Sequence, residues 1–167
     1  VGGAIPGQFI PAVEKGIRQA MAEGYVAGFP IQDVRVIVYD GKHHPVDSKE
    51  VAFVAAGRKA FLDAVAKAGP IVLEPIVRLT VTAPQNHMGD ISGDLAARRG
   101  RISSSDTLSN GWVRIQALVP LSEIQDYEST LKSLTEGQGS FTLDFDHYEP
   151  VPAAIQKQLA ERGKRQD

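Results

Sequence analysis

Apolar residues in the first third of the chain recur at helical spacing. Phe9, Val13, Ile17, Ala20 and Met21 fall on one face after Pro6-Gly7. Pro11 is tolerable only in a first turn and Gly24 is a stop, so residues 9 to 23 are predicted to be helical. After the turn-rich Gly28-Phe29-Pro30, the run Val34-Arg35-Val36-Ile37-Val38-Tyr39 is rich in β-branched residues and partly alternates. It reads as a strand ended by Asp40-Gly41. Lys42 to Val46 is a loop. Asp47 and Glu50 stand at capping-box spacing, with aspartate in place of the usual serine or threonine. Val51, Val54, Phe61 and Val65 then mark one face of a long helix to about Ala68, closed by Gly69-Pro70.

From residue 71 the period changes. Ile71 to Thr82 is strand-like, Gly89 to Arg99 is a short helix with Asp90 at its cap, and Arg101 to Ser105 and Trp112 to Val119 are two further strands. Ser105 to Gly111 carries turn chemistry. Ser122 is read as the cap of another helix, with Ile124, Tyr127 and Leu131 on one face and Gly137 and Gly139 at its end. Phe141, Leu143 and Phe145 alternate as a last strand, and residues 153 to 162 form a polar terminal helix after Pro152. Residues 75 to 148 thus read β-α-β-β-α-β, the order of the ferredoxin-like split βαβ unit. Residues 1 to 70 offer two helices and one strand, too little for a sheet domain, so strands before Val1 are expected to complete it. Without them, Val34 to Tyr39 would expose an unpaired edge, a route to dimerisation of this chain. The fold class is α+β, with the boundary between halves near Gly69 to Pro75.

Composition narrows the chemistry. The 167 residues contain no cysteine, which excludes disulfides, thiolate zinc sites and a cysteine nucleophile, and which fits a cytoplasmic protein. No apolar run approaches the roughly 20 residues of a membrane helix, and Val1-Gly2-Gly3-Ala4-Ile5-Pro6 lacks the blocks of a signal peptide. The net charge of −2 rules out coating nucleic acid by charge alone, so any RNA contact is local. Basic residues cluster at Arg98, Arg99 and Arg101, and at Arg162 with Lys164 and Arg165. The first group complements a helix dipole and makes a basic edge; the second reads as a solvated tail.

His43, His44 and Asp47 crowd one loop and raise two readings. One is a metal-binding or acid/base set, which adjacent histidines serve poorly because they point apart in an extended loop and because Asp47 is engaged as a cap. The other is RNA contact, with an imidazole stacking on a base or bonding a 2′-hydroxyl, and Lys42 adding a phosphate contact. Pro45 pushes His44 towards extended geometry and stiffens the tip. His87 and His147 read as loop or strand-end residues with local hydrogen bonds. Gly89 to Leu95 is glycine-spaced at a helix start, but two aspartates would repel phosphate and no G-x-x-x-x-G-K-[ST] occurs, so no nucleotide site is found.

The chain resembles elongation factor G over nearly its whole length. The resemblance is carried by Ile5-Pro6 with Pro11-Ala12-Val13 and Lys15-Gly16; His44 with Val46-Asp47-Ser48; Leu73-Glu74-Pro75-Ile76; Gly89-Asp90 with Gly93-Asp94-Leu95 and Arg98-Arg99-Gly100; Val119 to Glu123; and Leu131 with Ser133-Leu134-Thr135, Gly137, Gly139 and Phe141. It implies that residues 1–72 are the later part of the family's fourth domain, S5-like with a left-handed βαβ crossover. Residues 73–167 would be the ferredoxin-like fifth domain plus a C-terminal helix. It further implies a ribosomal partner: His44, flanked by His43 and Lys42, would face tRNA and mRNA near the decoding region, and Arg98, Arg99 and Arg101 would lie near rRNA of the large subunit. The implied role is non-catalytic in this chain, without cofactor or metal of its own, because GTP and magnesium belong to the family's N-terminal domain. The implied parent is a cytoplasmic GTPase that promotes translocation and acts as a monomer. Two departures stand out: His43 replaces the family's usual tyrosine and Pro45 its usual acidic residue. They leave room for a paralogue acting in ribosome recycling or another ribosome-linked step.

Overall fold

A computed structural model describes residues 4–45 and 48–163. The chain forms two compact units: residues up to Val72 together with those from Pro152 onward make the first, and Leu73–Val151 makes the second. The terminal helix therefore belongs to the first unit rather than extending the second.

In the first unit, a 3-10 turn at Gly7–Phe9 leads into helix α1, Ile10–Glu23. Pro11 sits in its first turn, where its missing N–H costs nothing, and Gly24, at φ 77°, turns the chain out of it. Helix α2 spans Glu50–Ala68 and ends at Gly69 in the left-handed conformation. Val13, Ile17 and Ala20 of α1 pack on Phe53, Phe61 and Val65 of α2, and Phe9 stacks on Phe53 with ring centroids 4.3 Å apart. The buried stripe of α2 runs Phe53, Gly57, Phe61, Val65, one residue every four. Val51, expected on that face, is exposed because it lies two positions off the stripe. The expected cap, Asp47, lies outside the described residues, as do Lys164 and Arg165; α2 begins after Lys49, which has extended dihedrals.

The predicted strand Val34–Tyr39 does not form. Among the described residues no segment pairs with it, and a ladder is what makes a strand. Asp33, at φ 57°, enters it in a left-handed conformation, and Val34, Val36, Ile37, Val38 and Tyr39 are each at least 41% exposed. The crossover expected for this half needs paired strands, and none pair among the first unit's described residues. Helix α5, Ala153–Gly163, is tied to this unit by Gln156, whose Nε2 donates to the Pro70 carbonyl at 3.0 Å while its Oε1 accepts from the Val72 N–H at 3.2 Å.

The second unit follows the expected β-α-β-β-α-β order: β1 Leu73–Pro84, α3 Met88–Ala97, β2 Arg101–Thr107, β3 Trp112–Pro120, α4 Tyr127–Leu134 and β4 Ser140–Pro150. The sheet order is β2-β3-β1-β4, antiparallel throughout. Alternation decides the faces: Val77, Leu79, Val81 and Ala83 of β1 and Val113, Ile115, Ala117 and Val119 of β3 point to one side and are buried under α3 and α4. Burying each such valine, leucine or isoleucine contributes roughly 1.5–3 kcal/mol, enough to make these two central strands the backbone of the unit. Helix α4 starts later than predicted. Leu121–Glu123 is a 3-10 turn, and neither Ser122 nor Asp126 caps α4 with its side chain; the Asp126 carboxylate is instead held by Arg98. Asp90 likewise does not cap α3, which begins at Met88, but lies in its first turn, where the helix dipole favours it.

Tyr127 fills the centre of this core, its ring edge-on to Phe141 at 5.2 Å, and its buried hydroxyl has no hydrogen-bond partner among the described residues. Burial pushes the pKa of that hydroxyl well above its ordinary value. Tyr127→Phe keeps the ring and removes the unpaired group. It is expected to leave the thermal midpoint unchanged or to raise stability by up to about 1 kcal/mol, and a clear drop on thermal melting would show that the hydroxyl is bonded.

Candidate functional site

The loop between Asp40 and Ser48 carries the histidines. Gly41 donates its N–H to the Asp40 carboxylate at 2.7 Å, and Lys42, His43, His44 and Pro45 are all exposed. The two imidazoles have different surroundings. His43 Nδ1 lies 2.9 Å from the carbonyl oxygen of Ala4, which accepts from it. His44 makes no ring hydrogen bond among the described residues; its main-chain carbonyl accepts from the Ser48 hydroxyl. Asp47, the third member of the set weighed as a metal or acid/base site, lies outside the described residues, and no group of three metal-ligating side chains converges among those described.

The three arginines expected to form a basic edge do not present free cations. Arg98 is 14% exposed. Its Nε donates to Asp94 at 2.8 Å, Nη1 to the Glu123 carbonyl at 2.6 Å and to Asp126 at 2.7 Å, and Nη2 to Thr130 at 3.0 Å. Its guanidinium also lies 5.4 Å from the centre of the Tyr127 ring. Arg99 grips both carboxylate oxygens of Glu74, at 2.6 and 3.0 Å, and reaches Glu123 at 3.1 Å. Arg101 pairs with Glu149 at 2.6 Å but remains 62% exposed. Five carboxylates thus answer three guanidiniums, and the expected basic edge is a brace between strands and helices. Asp94 and Arg98 stand four residues apart, with Arg98 at the C-terminal cap of α3, a spacing at which helical side chains meet.

His147 extends the Arg101–Glu149 pair into a polar network that periodicity does not reveal. The β1–β4 register passes from Ile76↔His147 to Val77↔Phe145, so Asp146 is the extra residue of a bulge, which re-aims its side chain. His147 Nδ1 lies 2.6 Å from Asp146 and Nε2 lies 2.8 Å from Glu149, while Arg78 holds Asp146 at 2.6 Å. Hydrogen bonds to Glu149 and then Asp146 raise the His147 pKa above its ordinary 6.5. The raised folded value means that the stabilisation is fully present below pH ~6.5 and is lost as pH climbs through the folded pKa. The thermal midpoint is therefore expected to fall slightly more between pH 6 and 8.5 than in His147→Gln; parallel profiles for the two would show that the imidazole is not charged in the fold.

One unit is a helix pair carrying an exposed histidine loop, and the other is a ferredoxin-like sandwich with braced arginines, so the chain is of the two-unit α+β class. Its sequence matches the profile for elongation factor G, domain IV over residues 1–69 and that for the elongation factor G C-terminus over residues 71–159. The chain is also similar to a crystal structure of a protein from Thermus thermophilus, with 41% identity and a TM-score of 0.82 over 99% of this chain. It spans 25% of that longer chain. The chain belongs to the elongation factor G family. No helix among the described residues is long and apolar enough to cross a membrane.

Proposed function

We propose that this chain is the ribosome-engaging C-terminal module of a translational GTPase that promotes movement of tRNA and mRNA during protein synthesis. It acts mechanically, in the cytoplasm, while GTP and magnesium are bound by an N-terminal domain of the parent. The observation that carries the reading is the exposure of His44 on a loop whose neighbouring histidine is tied down. An imidazole so presented can stack on a base or bond a 2′-hydroxyl, with Lys42 beside it for a phosphate. On the second unit, Arg101 keeps the exposure that an rRNA phosphate contact requires, while Arg98 and Arg99 serve as braces.

The test is His44→Ala in a parent that carries the GTPase domain. Translocation, followed by toeprinting or rapid kinetics, is expected to slow by about tenfold or more, as loss of one transition-state contact would, while multiple-turnover GTP hydrolysis on ribosomes survives. Normal translocation by the variant would remove His44 from the reading. Ribosome recycling is the second reading, favoured by Pro45 and His43 at positions where the family usually has an acidic residue and tyrosine. A subunit-splitting assay that depends on His44 while translocation does not would select it.

A further inference from the structure

We propose that His43 is the positioning residue of this loop: its ring pins the loop to the segment that enters α1, so that of the two imidazoles only that of His44 is left untethered. The proposal rests on the reading of His44 as the RNA-facing side chain. Three independent tethers converge on the loop. The first is the hydrogen bond from His43 Nδ1 to the Ala4 carbonyl, 39 residues away in sequence. The second is apolar: a Cβ built on Gly41 would lie 2.3 Å from Ile5 Cδ1 and 2.7 Å from its Cγ1, so the glycine lets the side chain after Ala4 press against the loop. The third is the Ser48 hydroxyl on the His44 carbonyl, which fixes the backbone of the presented residue. Ala4 and Ile5 thus hold both ends of the Gly41 to His43 stretch, and Pro45 restricts the backbone on the far side of His44.

Chemistry assigns the proton. A carbonyl oxygen only accepts, so His43 carries hydrogen on Nδ1, either as the neutral Nδ1–H tautomer or as the imidazolium. Both forms satisfy the tether, which therefore does not depend on the charge of His43. A single exposed hydrogen bond is weak against water, and its effect here comes from acting together with the Ile5–Gly41 contact. The gain for function is that the loop is ordered before it meets RNA, so less conformational freedom is lost on contact.

The discriminating pair is His43→Asn, which keeps an N–H near the Nδ1 position, and His43→Phe, which keeps a ring without a donor. In this 167-residue chain, long-range 1H–15N spectra are expected to show His43 protonated at Nδ1. Backbone 15N order parameters of residues 41–44 are expected to drop below about 0.6 in His43→Phe and to stay near the native values in His43→Asn, with the same global melting temperature in both. In a GTPase-bearing parent, His43→Phe should slow translocation less than His44→Ala does, leave GTP hydrolysis intact and be rescued by asparagine. An Nε2-protonated His43, native order parameters in His43→Phe, or failure of asparagine to rescue would overturn the proposal. Normal translocation by His44→Ala would overturn it by a different route, recognisable because the spectra would still report the tether.

Discussion

Gly16→Ala is expected to destabilise the first unit by about 2–3 kcal/mol, as overpacking does, whereas Gly93→Ala is expected to stabilise the second by about 0.5–1 kcal/mol. The substitution is chemically identical and the sign is reversed, because the two glycines sit in helices for different reasons. A Cβ on Gly16 would lie 2.0 Å from the Val54 carbonyl oxygen and 3.0 Å from the Arg58 nitrogen. The crossing is reciprocal: a Cβ on Gly57 would lie 2.6 Å from the Val13 carbonyl oxygen. These neighbours are backbone, so they yield only if α1 and α2 separate, and separation would loosen Val13 and Ile17 from Phe61 and Phe53. Gly93, in the middle of α3, has nothing within 4 Å of its Cβ position. There alanine removes only the entropic cost of glycine in a helix. Urea denaturation followed by circular dichroism checks both signs, and a Gly16→Ala midpoint at or above the native one would show that the helices do not meet at these residues.

That pair also shows what the sequence leaves unread. Val13, Ile17, Phe61 and Val65 announce their faces by spacing, and both helices form where the spacing puts them. Gly16 and Gly57 carry no hydrophobic signal, so a search for apolar residues places Val51 and Val54 on the stripe that Phe53 and Gly57 occupy. The β-α-β-β-α-β order was legible because β1, β3 and the start of β4 alternate and each turn holds its Gly, Asn or Ser, whereas the polar edge strand β2 is marked chiefly by the turn that follows it. Val34 to Tyr39 has the same local signal and fails to make a strand, because pairing depends on what lies beside it rather than on propensity. At the candidate site, the exposure of His44 accords with a polar loop stiffened by Pro45. The tether on His43 spans 39 residues and leaves no trace in spacing. The arginines were legible as a cluster of charge, but their partners Glu74, Asp126 and Glu149 are distant in sequence and meet them only in the fold.

Arg98→Leu is expected to cost the second unit about 1.5–3 kcal/mol, since it removes the charged donor from the partly buried Asp94 carboxylate and Glu123 carbonyl, while Asp126, which is exposed, returns to water. The guanidinium reaches two carboxylates, a main-chain carbonyl and a hydroxyl at once, joining α3 to α4 and to the turn before it. Arg98→Lys is expected to recover little of this, because a single ammonium cannot reproduce a planar fork that serves four acceptors. The pH dependence carries a separate signature. The hydrogen bond from Arg98 holds the Asp126 carboxyl below its ordinary 3.8. That contribution is present above pH ~3.8 and is lost as pH falls through the lower folded value. Arg98→Leu should therefore show a shallower loss of stability on acidification than the native chain. The opposite result is equally informative: native stability in Arg98→Leu, with weakened ribosome binding in a longer parent, would return this residue from brace to rRNA contact. The geometry argues for the brace because every nitrogen of the guanidinium is already engaged within the unit, and a phosphate would have to displace carboxylates already seated at 2.7 and 2.8 Å.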